Sequence, residues 1–127
     1  MVVTDSRLAT MEPVQAGKKS VASAGVEAIV FDRTSVEPND ASFLEAAAFA
    51  KESGFDGFVA IGGSSVIDTA KVANPYSTYP ADLLEYANQP IGRRTPVPGP
   101  LKPHIAVPTT CGTDSETTGV AILDLTQ

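Results

Sequence analysis

Short apolar runs alternate along this chain with segments of helical periodicity. Met1-Val2-Val3-Thr4 reads as the tail of a strand that ends at Asp5. Residues 12 to 24 read as a helix closed by Gly25, and Ala28-Ile29-Val30-Phe31 as a buried strand ending at Asp32. A second helix is predicted from Ser42 and Glu45, which have capping-box spacing. Phe43, Ala46, Ala47 and Ala50 share one face of it, and Gly54 is placed to end it. Gly57-Phe58-Val59-Ala60-Ile61 predicts a short buried strand running directly into Gly62-Gly63-Ser64-Ser65. The next helix is expected from about Val66 to Ala73, stopping at Asn74-Pro75, because proline has no N–H to continue the ladder.

Residues 80 to 88 predict a short helix. Residues 90 to 103 hold five prolines and two glycines, which excludes a helix or central strand and leaves a surface loop. His104-Ile105-Ala106-Val107-Pro108 predicts another buried strand, feeding the polar turn Thr109-Thr110-Cys111-Gly112-Thr113 and a helix begun by Ser115-Glu116. Val120-Ala121-Ile122-Leu123 reads as a last strand. This alternation is the pattern of βαβ units around a parallel sheet, so the expected class is α/β. No internal repeat or domain boundary is visible, and residues 1–127 read as one domain. Apparent strands at both termini give the expectation of an incomplete domain, truncated at both ends.

Composition narrows the function classes. Nine Lys+Arg against fifteen Asp+Glu leave a formal charge of −6. Arg93, Arg94 and Lys102 lie in the proline-rich loop, and three charges are too few to make nucleic acid an expected partner of an acidic chain. No apolar run approaches the roughly 18 residues of a membrane helix. No signal peptide or transit-peptide character is visible at the N-terminus. The single cysteine, Cys111, cannot form an intrachain disulfide.

Ligands of open α/β sheets bind outside the carboxyl ends of the strands, where Asp5, Gly62–Ser65 and Thr109–Thr113 fall. In the Gly62–Ser65 turn, glycines permit close backbone approach, and the next helix presents free N–H groups suited to a phosphate. A tight turn with Ser65 as helix cap is the structural alternative. Asp68, one turn further, is either near such a phosphate or a first-turn acid on the helix dipole. Asp5 is either a ligand for ribose hydroxyls or a helix cap. The hydroxyl-rich turn at Thr109, Thr110 and Thr113 either lines a nucleotide cleft or caps the helix begun by Ser115-Glu116. A nucleophilic role for Cys111 needs a base, and the only histidine, His104, lies at the far end of the preceding strand. One histidine and one cysteine do not make a catalytic metal site, so no catalytic or metal-binding residue is expected in this chain.

Two of these turns carry a resemblance. Gly62-Gly63-Ser64-Ser65-Val66-Ile67-Asp68-Thr69-Ala70-Lys71 resembles the GGGSxxDxAK signature of iron-containing alcohol dehydrogenases. Pro108-Thr109-Thr110-Cys111-Gly112-Thr113-Asp114-Ser115-Glu116 resembles that family's PTTxGTGSE signature. Their order and spacing match, and the resemblance spans essentially the whole chain. Val36-Glu37-Pro38-Asn39-Asp40, Pro90-Ile91-Gly92 and Leu101 to Val120 resemble the hydroxyacid-oxoacid transhydrogenase branch. That branch passes a hydride from 4-hydroxybutyrate to 2-oxoglutarate through a nicotinamide cofactor that stays bound.

The resemblance implies a Rossmann-like N-terminal domain, with the family's all-helical C-terminal domain absent from these residues. It implies NAD(H) as cofactor, with the ribose held by Asp5 and the pyrophosphate by Gly62, Gly63, Ser64 and Ser65. Asp68 would stand beside them, Thr109, Thr110 and Thr113 would line the cleft, and Asn39 would lie near the adenosine end. The family's iron or other divalent metal takes one aspartate and three histidines, which would lie beyond residue 127, as would most of the pocket for a small hydroxy or oxo acid. The resemblance also implies a mitochondrial location in a eukaryote, a cytoplasmic one otherwise, and a homo-oligomer as a possible assembly. Two glycines of the signatures are replaced, by Ser64 and Asp114. Two other readings stay open: an NAD-dependent alcohol dehydrogenase with exchangeable cofactor, and a truncated or degenerate nucleotide-binding protein without catalysis.

Overall fold

The computed structural model describes residues 1–126 of the chain. Four parallel strands, β1 (Val2–Val3), β2 (Val30–Phe31), β3 (Phe58–Gly62) and β4 (His104–Pro108), form one sheet in the order β2-β1-β3-β4. The helices between them are α1 (Glu12–Ser23), α2 (Asp40–Ser53), α3 (Ser64–Thr78) and α4 (Leu83–Tyr86). A Rossmann-like α/β layer structure therefore stands, as the alternation predicts.

Strand alternation decides which face each helix covers. Val2 and Ile61 point to one side and bury Val14 of α1. Val3, Phe31, Phe58 and Ala60 point to the other side and bury Ala46 and Ala50 of α2 with Ile67, Ala70 and Ala73 of α3. Right-handed crossovers require this division, since β1→β2 and β2→β3 step in opposite directions across the sheet. The chain runs from β1 to β2 in one direction and from β3 to β4 in the other, so β1 and β3 flank a topological switch point, the place where ligands of open α/β sheets bind.

Four expectations are corrected. The second helix begins earlier: Asn39, not Ser42, is its cap. The Asn39 Oδ1 accepts from the Ser42 N–H at 2.9 Å, and the Asn39 N–H donates to Ser42 Oγ at 3.0 Å. This is a capping box with serine in place of glutamate. Asn39→Ala removes one half of it, and urea unfolding should show a loss of about 1 kcal/mol.

The third helix does not stop at Asn74-Pro75 but runs through to Thr78. Asn74 is buried; its side chain donates to the Lys102 carbonyl at 2.8 Å and accepts from the Lys102 N–H at 3.2 Å. Pro75 and Tyr76 are buried as well. Burial against β4, α4 and the sheet outweighs the hydrogen bond that proline forfeits.

The last expected strand, 120–123, is not one. Only an isolated bridge between Asn39 and Asp124 forms there, supported by the Asp124 N–H to the Pro38 carbonyl at 3.0 Å. Ala121 and Leu123 instead pack over Phe43, Ala47, Val72 and Tyr76, on the α2–α3 seam. The helix expected at Ser115 is a single 3-10 turn, Ser115–Thr117.

Other elements stand where expected but with different bounds: the strand expected at residues 28–31 keeps only Val30–Phe31, the helix at residues 80–88 only Leu83–Tyr86, and α3 starts at Ser64. Gly54 ends α2 at φ 62°, a left-handed position that glycine occupies without penalty. Residues 90–103 are an irregular loop, anchored where Arg93 Nη1 donates to Glu85 Oε2 at 2.9 Å. No helix among the described residues is long and apolar enough to cross a membrane.

Candidate functional site

The polar turns of the two signatures meet at the carboxyl ends of β3 and β4. The ladder continues past the strands, with the Thr109 N–H donating to the Gly62 carbonyl at 2.9 Å. Gly63 is the N-cap of α3 in an extended conformation, φ −80° and ψ −170°. That backbone is open to any residue, so the need for glycine lies in space. A Cβ at Gly63 would stand 3.2 Å from Thr110 Oγ1, and one at Gly62 2.6 Å from Val66 Cγ2.

No side chain caps α3. The first N–H groups of a helix have no partner within it, so those of Ser64, Ser65 and Val66 stand at the positive end of a 15-residue helix without a side-chain cap. The serine cap that the sequence allows is not formed. Ser65 Oγ instead donates to the Val36 carbonyl and ties the turn to the loop before α2.

Beside this turn lies a cavity of about 290 Å³. Ser64, Ser65 and Asp68 form one wall, Val36 to Pro38 a second, and Thr113, Ser115, Thr118, Val120 and Ile122 a third. No lysine or arginine lines it, whereas Glu37, Asp68 and Asp124 do, so only backbone N–H groups and hydroxyls favour an anion there.

The remaining expected residues spread around this centre. Asp5 follows β1; its Oδ1 accepts from the N–H groups of Arg7 and Leu8, both at 2.9 Å, in the turn that leads into the 3-10 turn Leu8–Thr10. Its Oδ2 takes no hydrogen bond among the described residues. Asn39 Oδ1 is committed to α2. Thr109, Thr110 and Thr113 are exposed on the turn after β4. Asp5, Asn39, Thr109 and Thr110 do not line the cavity; Ser64, Ser65, Asp68 and Thr113 do.

Asp68 differs most from a ligand-facing acid. It is 7% exposed and both its oxygens are occupied: Oδ1 by Ser115 Oγ and by Lys71 Nζ at 3.3 Å, Oδ2 by the Ile122 N–H at 3.1 Å. Sequence reasoning misses Lys71, Ser115, Thr118 and Ile122. Lys71 and Ser115 lie inside the two signatures, but their contacts span 44 residues or more and leave no local trace.

The two replaced signature glycines fall at telling places. Asp114 sits at φ 55°, ψ 25°, a left-handed position that aspartate tolerates better than most residues at modest cost. Ser64 is the first residue of α3 and lines the cavity. Cys111 is exposed and free. His104 begins β4 on the α3 side; burial, then the Lys71 charge, push its pKa down, and its Nε2 has no hydrogen-bond partner among the described residues.

A metal does not fit these residues: among those described, no group of three His, Cys, Asp or Glu side chains converges. The uncapped helix and the close Gly63–Thr110 approach are features that suit a phosphate-bearing ligand.

Comparison with known proteins agrees with this geometry. The chain is 54% identical over 124 residues to the mitochondrial hydroxyacid-oxoacid transhydrogenase of Bos taurus, and 51% identical over 124 residues to that of Homo sapiens. Each match covers 97% of this chain and 27% of the relative. The chain thus spans about a quarter of the length of these relatives. Among solved structures, an iron-containing alcohol dehydrogenase from Thermococcus thioreducens superposes with a TM-score of 0.86 at 27% identity, covering 98% of this chain and 33% of that one. A sulfoacetaldehyde reductase from Bifidobacterium kashiwanohense in complex with NAD+ superposes with a TM-score of 0.78 at 28% identity, covering 96% of this chain and 31% of that one. The profile of the iron-containing alcohol dehydrogenase family matches residues 1–127, and the chain belongs to that family.

Proposed function

We propose that this chain is the cofactor-binding part of a hydroxyacid-oxoacid transhydrogenase. In this reading it holds the adenosine diphosphate moiety of NAD(H) at the β1/β3 switch point. The observation that carries the reading is the uncapped N-terminus of α3, placed by the Gly62-Gly63 turn at the switch point. Its free N–H groups supply the donors a pyrophosphate needs without a lysine. In this reading Asp5, which follows β1 and uses Oδ1 for the Arg7 and Leu8 N–H groups, would accept from ribose hydroxyls through Oδ2 and would repel a 2′-phosphate. The bound nicotinamide supplies hydride transfer, and the whole protein's reaction in this reading is transfer from 4-hydroxybutyrate to 2-oxoglutarate. The likeness to the bovine and human transhydrogenases supports a transhydrogenase reaction, and the substrate pair is the one the resemblance implies. Residues 1–127 supply positioning and no metal ligand, so the isolated chain is expected to bind NADH and to show no turnover.

A second reading has its own observation. Asp114 adds a negative charge, and Ser64 a side chain, at the turns that face a phosphate. Both favour weaker nucleotide affinity, as in a degenerate, non-catalytic copy. Titration of the chain with NADH, followed by fluorescence, separates the two. Saturable binding supports the cofactor role, and a folded chain that fails to bind favours the degenerate copy.

A further inference from the structure

Asp68 and Lys71 lie one turn apart on α3 and together grip a distant part of the chain. Lys71 Nζ donates to Asp68 Oδ1 at 3.3 Å, Ser115 Oγ at 3.1 Å, Thr118 Oγ1 at 3.1 Å and the Val120 carbonyl at 2.8 Å. Ser115 Oγ and the Ile122 N–H converge on the Asp68 carboxylate. The two side chains, of Lys71 and Asp68, are only 14% and 10% exposed.

Residues 115–122 have little else to shape them. One 3-10 turn, Ser115–Thr117, is their only regular structure, and they pair with no strand. Yet Ser115, Thr118, Val120 and Ile122 form the third wall of the cavity whose first wall is Ser64 and Ser65. A carboxylate and an ammonium that bond to a wall at four points fix its distance from the α3 N-terminus. Such charge-assisted bonds are the strong ones, and the surrounding burial limits screening.

We propose that Asp68 and Lys71 are positioning residues, a latch that locks residues 115–122 against α3 and so sets the width of the nucleotide cleft without touching the cofactor. The proposal rests on the cofactor-binding reading above. It differs from a direct role for Asp68 beside the pyrophosphate, because both oxygens of that carboxylate are engaged by Ser115, Lys71 and Ile122 and its charge is paired with Lys71. Lys71 is the more informative residue, since no phosphate-binding role is expected of it.

The test pairs two measurements on the chain and its variants. In Lys71→Met, the Ile122 amide should exchange with solvent about tenfold faster by hydrogen–deuterium exchange, because the carboxylate that holds it loses its counter-charge. The Kd for NADH should rise about tenfold in the same variant. Lys71→Arg keeps the charge and should recover most of both effects. Ser115→Ala with Thr118→Val leaves the ion pair in place and removes two of its wall contacts. It should move both readouts in the same direction, and it decides the matter if Lys71→Met fails to fold. Unchanged exchange at Ile122 would overturn the latch. Faster exchange with unchanged NADH affinity would overturn its role in the cleft. If the unsubstituted chain binds no NADH, the cofactor reading falls, and the exchange result alone then decides whether the wall is pinned by this pair.

Discussion

Gly63→Asp is expected to abolish NADH binding, raising Kd by at least about 100-fold, while leaving the fold intact. The backbone at Gly63 is extended, so aspartate fits it without strain. Aspartate is also among the best N-caps, and here it would accept from the free N–H groups of α3. The helix should therefore gain a few tenths of a kcal/mol or more in stability. The same carboxylate would occupy the donors a pyrophosphate needs and place a negative charge against it. Its Cβ would also press on Thr110 Oγ1 at 3.2 Å. Stability and affinity should thus move in opposite directions, which a general loss of structure cannot mimic. Thermal melts beside the titration check this, with Gly63→Ala separating the steric part from the charge.

Phe58→Ala should give the largest loss of stability, about 3–5 kcal/mol. Phe58 opens β3, is 1% exposed, and sits in the main cluster between the sheet, α2 and α3. Truncation leaves a cavity bounded by strand backbone and by helices already packed on one another. Neither side can close on it cheaply. For a domain of this size the melting temperature should fall by roughly 10–20 °C, measurable by circular dichroism. Because a domain has only about 5–15 kcal/mol in hand, the variant would stand close to unfolding at ambient temperature.

The apolar pattern locates both β3 and β4, although only β3 is buried as expected; β4 is an edge strand with Ile105 and Val107 exposed. Phe58–Gly62 and His104–Pro108 agree with their predicted positions to within a residue. The end of α2 is legible for a local reason, the glycine needed at a left-handed position. The illegible parts depend on contacts distant in sequence. Pro75 reads as a stop, yet Asn74 bonds to Lys102, 28 residues away, and the helix continues. Val120-Ala121-Ile122-Leu123 reads as a strand because the run is continuously apolar. Two of its residues, Ala121 and Leu123, are used instead on the α2–α3 seam.

The site divides in the same way. The turn at Gly62–Ser65 and the turn at Thr109–Thr113 are visible as polar breaks after apolar runs, and the structure brings Gly63 and Thr110 together. Of the third wall of the cavity, only Thr113 is visible in the sequence. Ser115, Thr118 and Ile122 gain their positions from Asp68 and Lys71, and no spacing rule links residues 44 to 54 apart. The resemblance puts Asn39 near the adenosine end and the spacing puts the cap at Ser42, but the Asn39 side chain serves as the helix cap, with Ser42 as its reciprocal partner.

The central claim is that these residues form a nucleotide cleft at the β1/β3 switch point. Calorimetric titration of the 127-residue chain with NAD(H), checked for folding by circular dichroism, tests it most directly. Saturable one-site binding that Gly63→Asp removes is the predicted result. A folded chain that takes up no NAD(H), or whose binding survives Gly63→Asp, would contradict it.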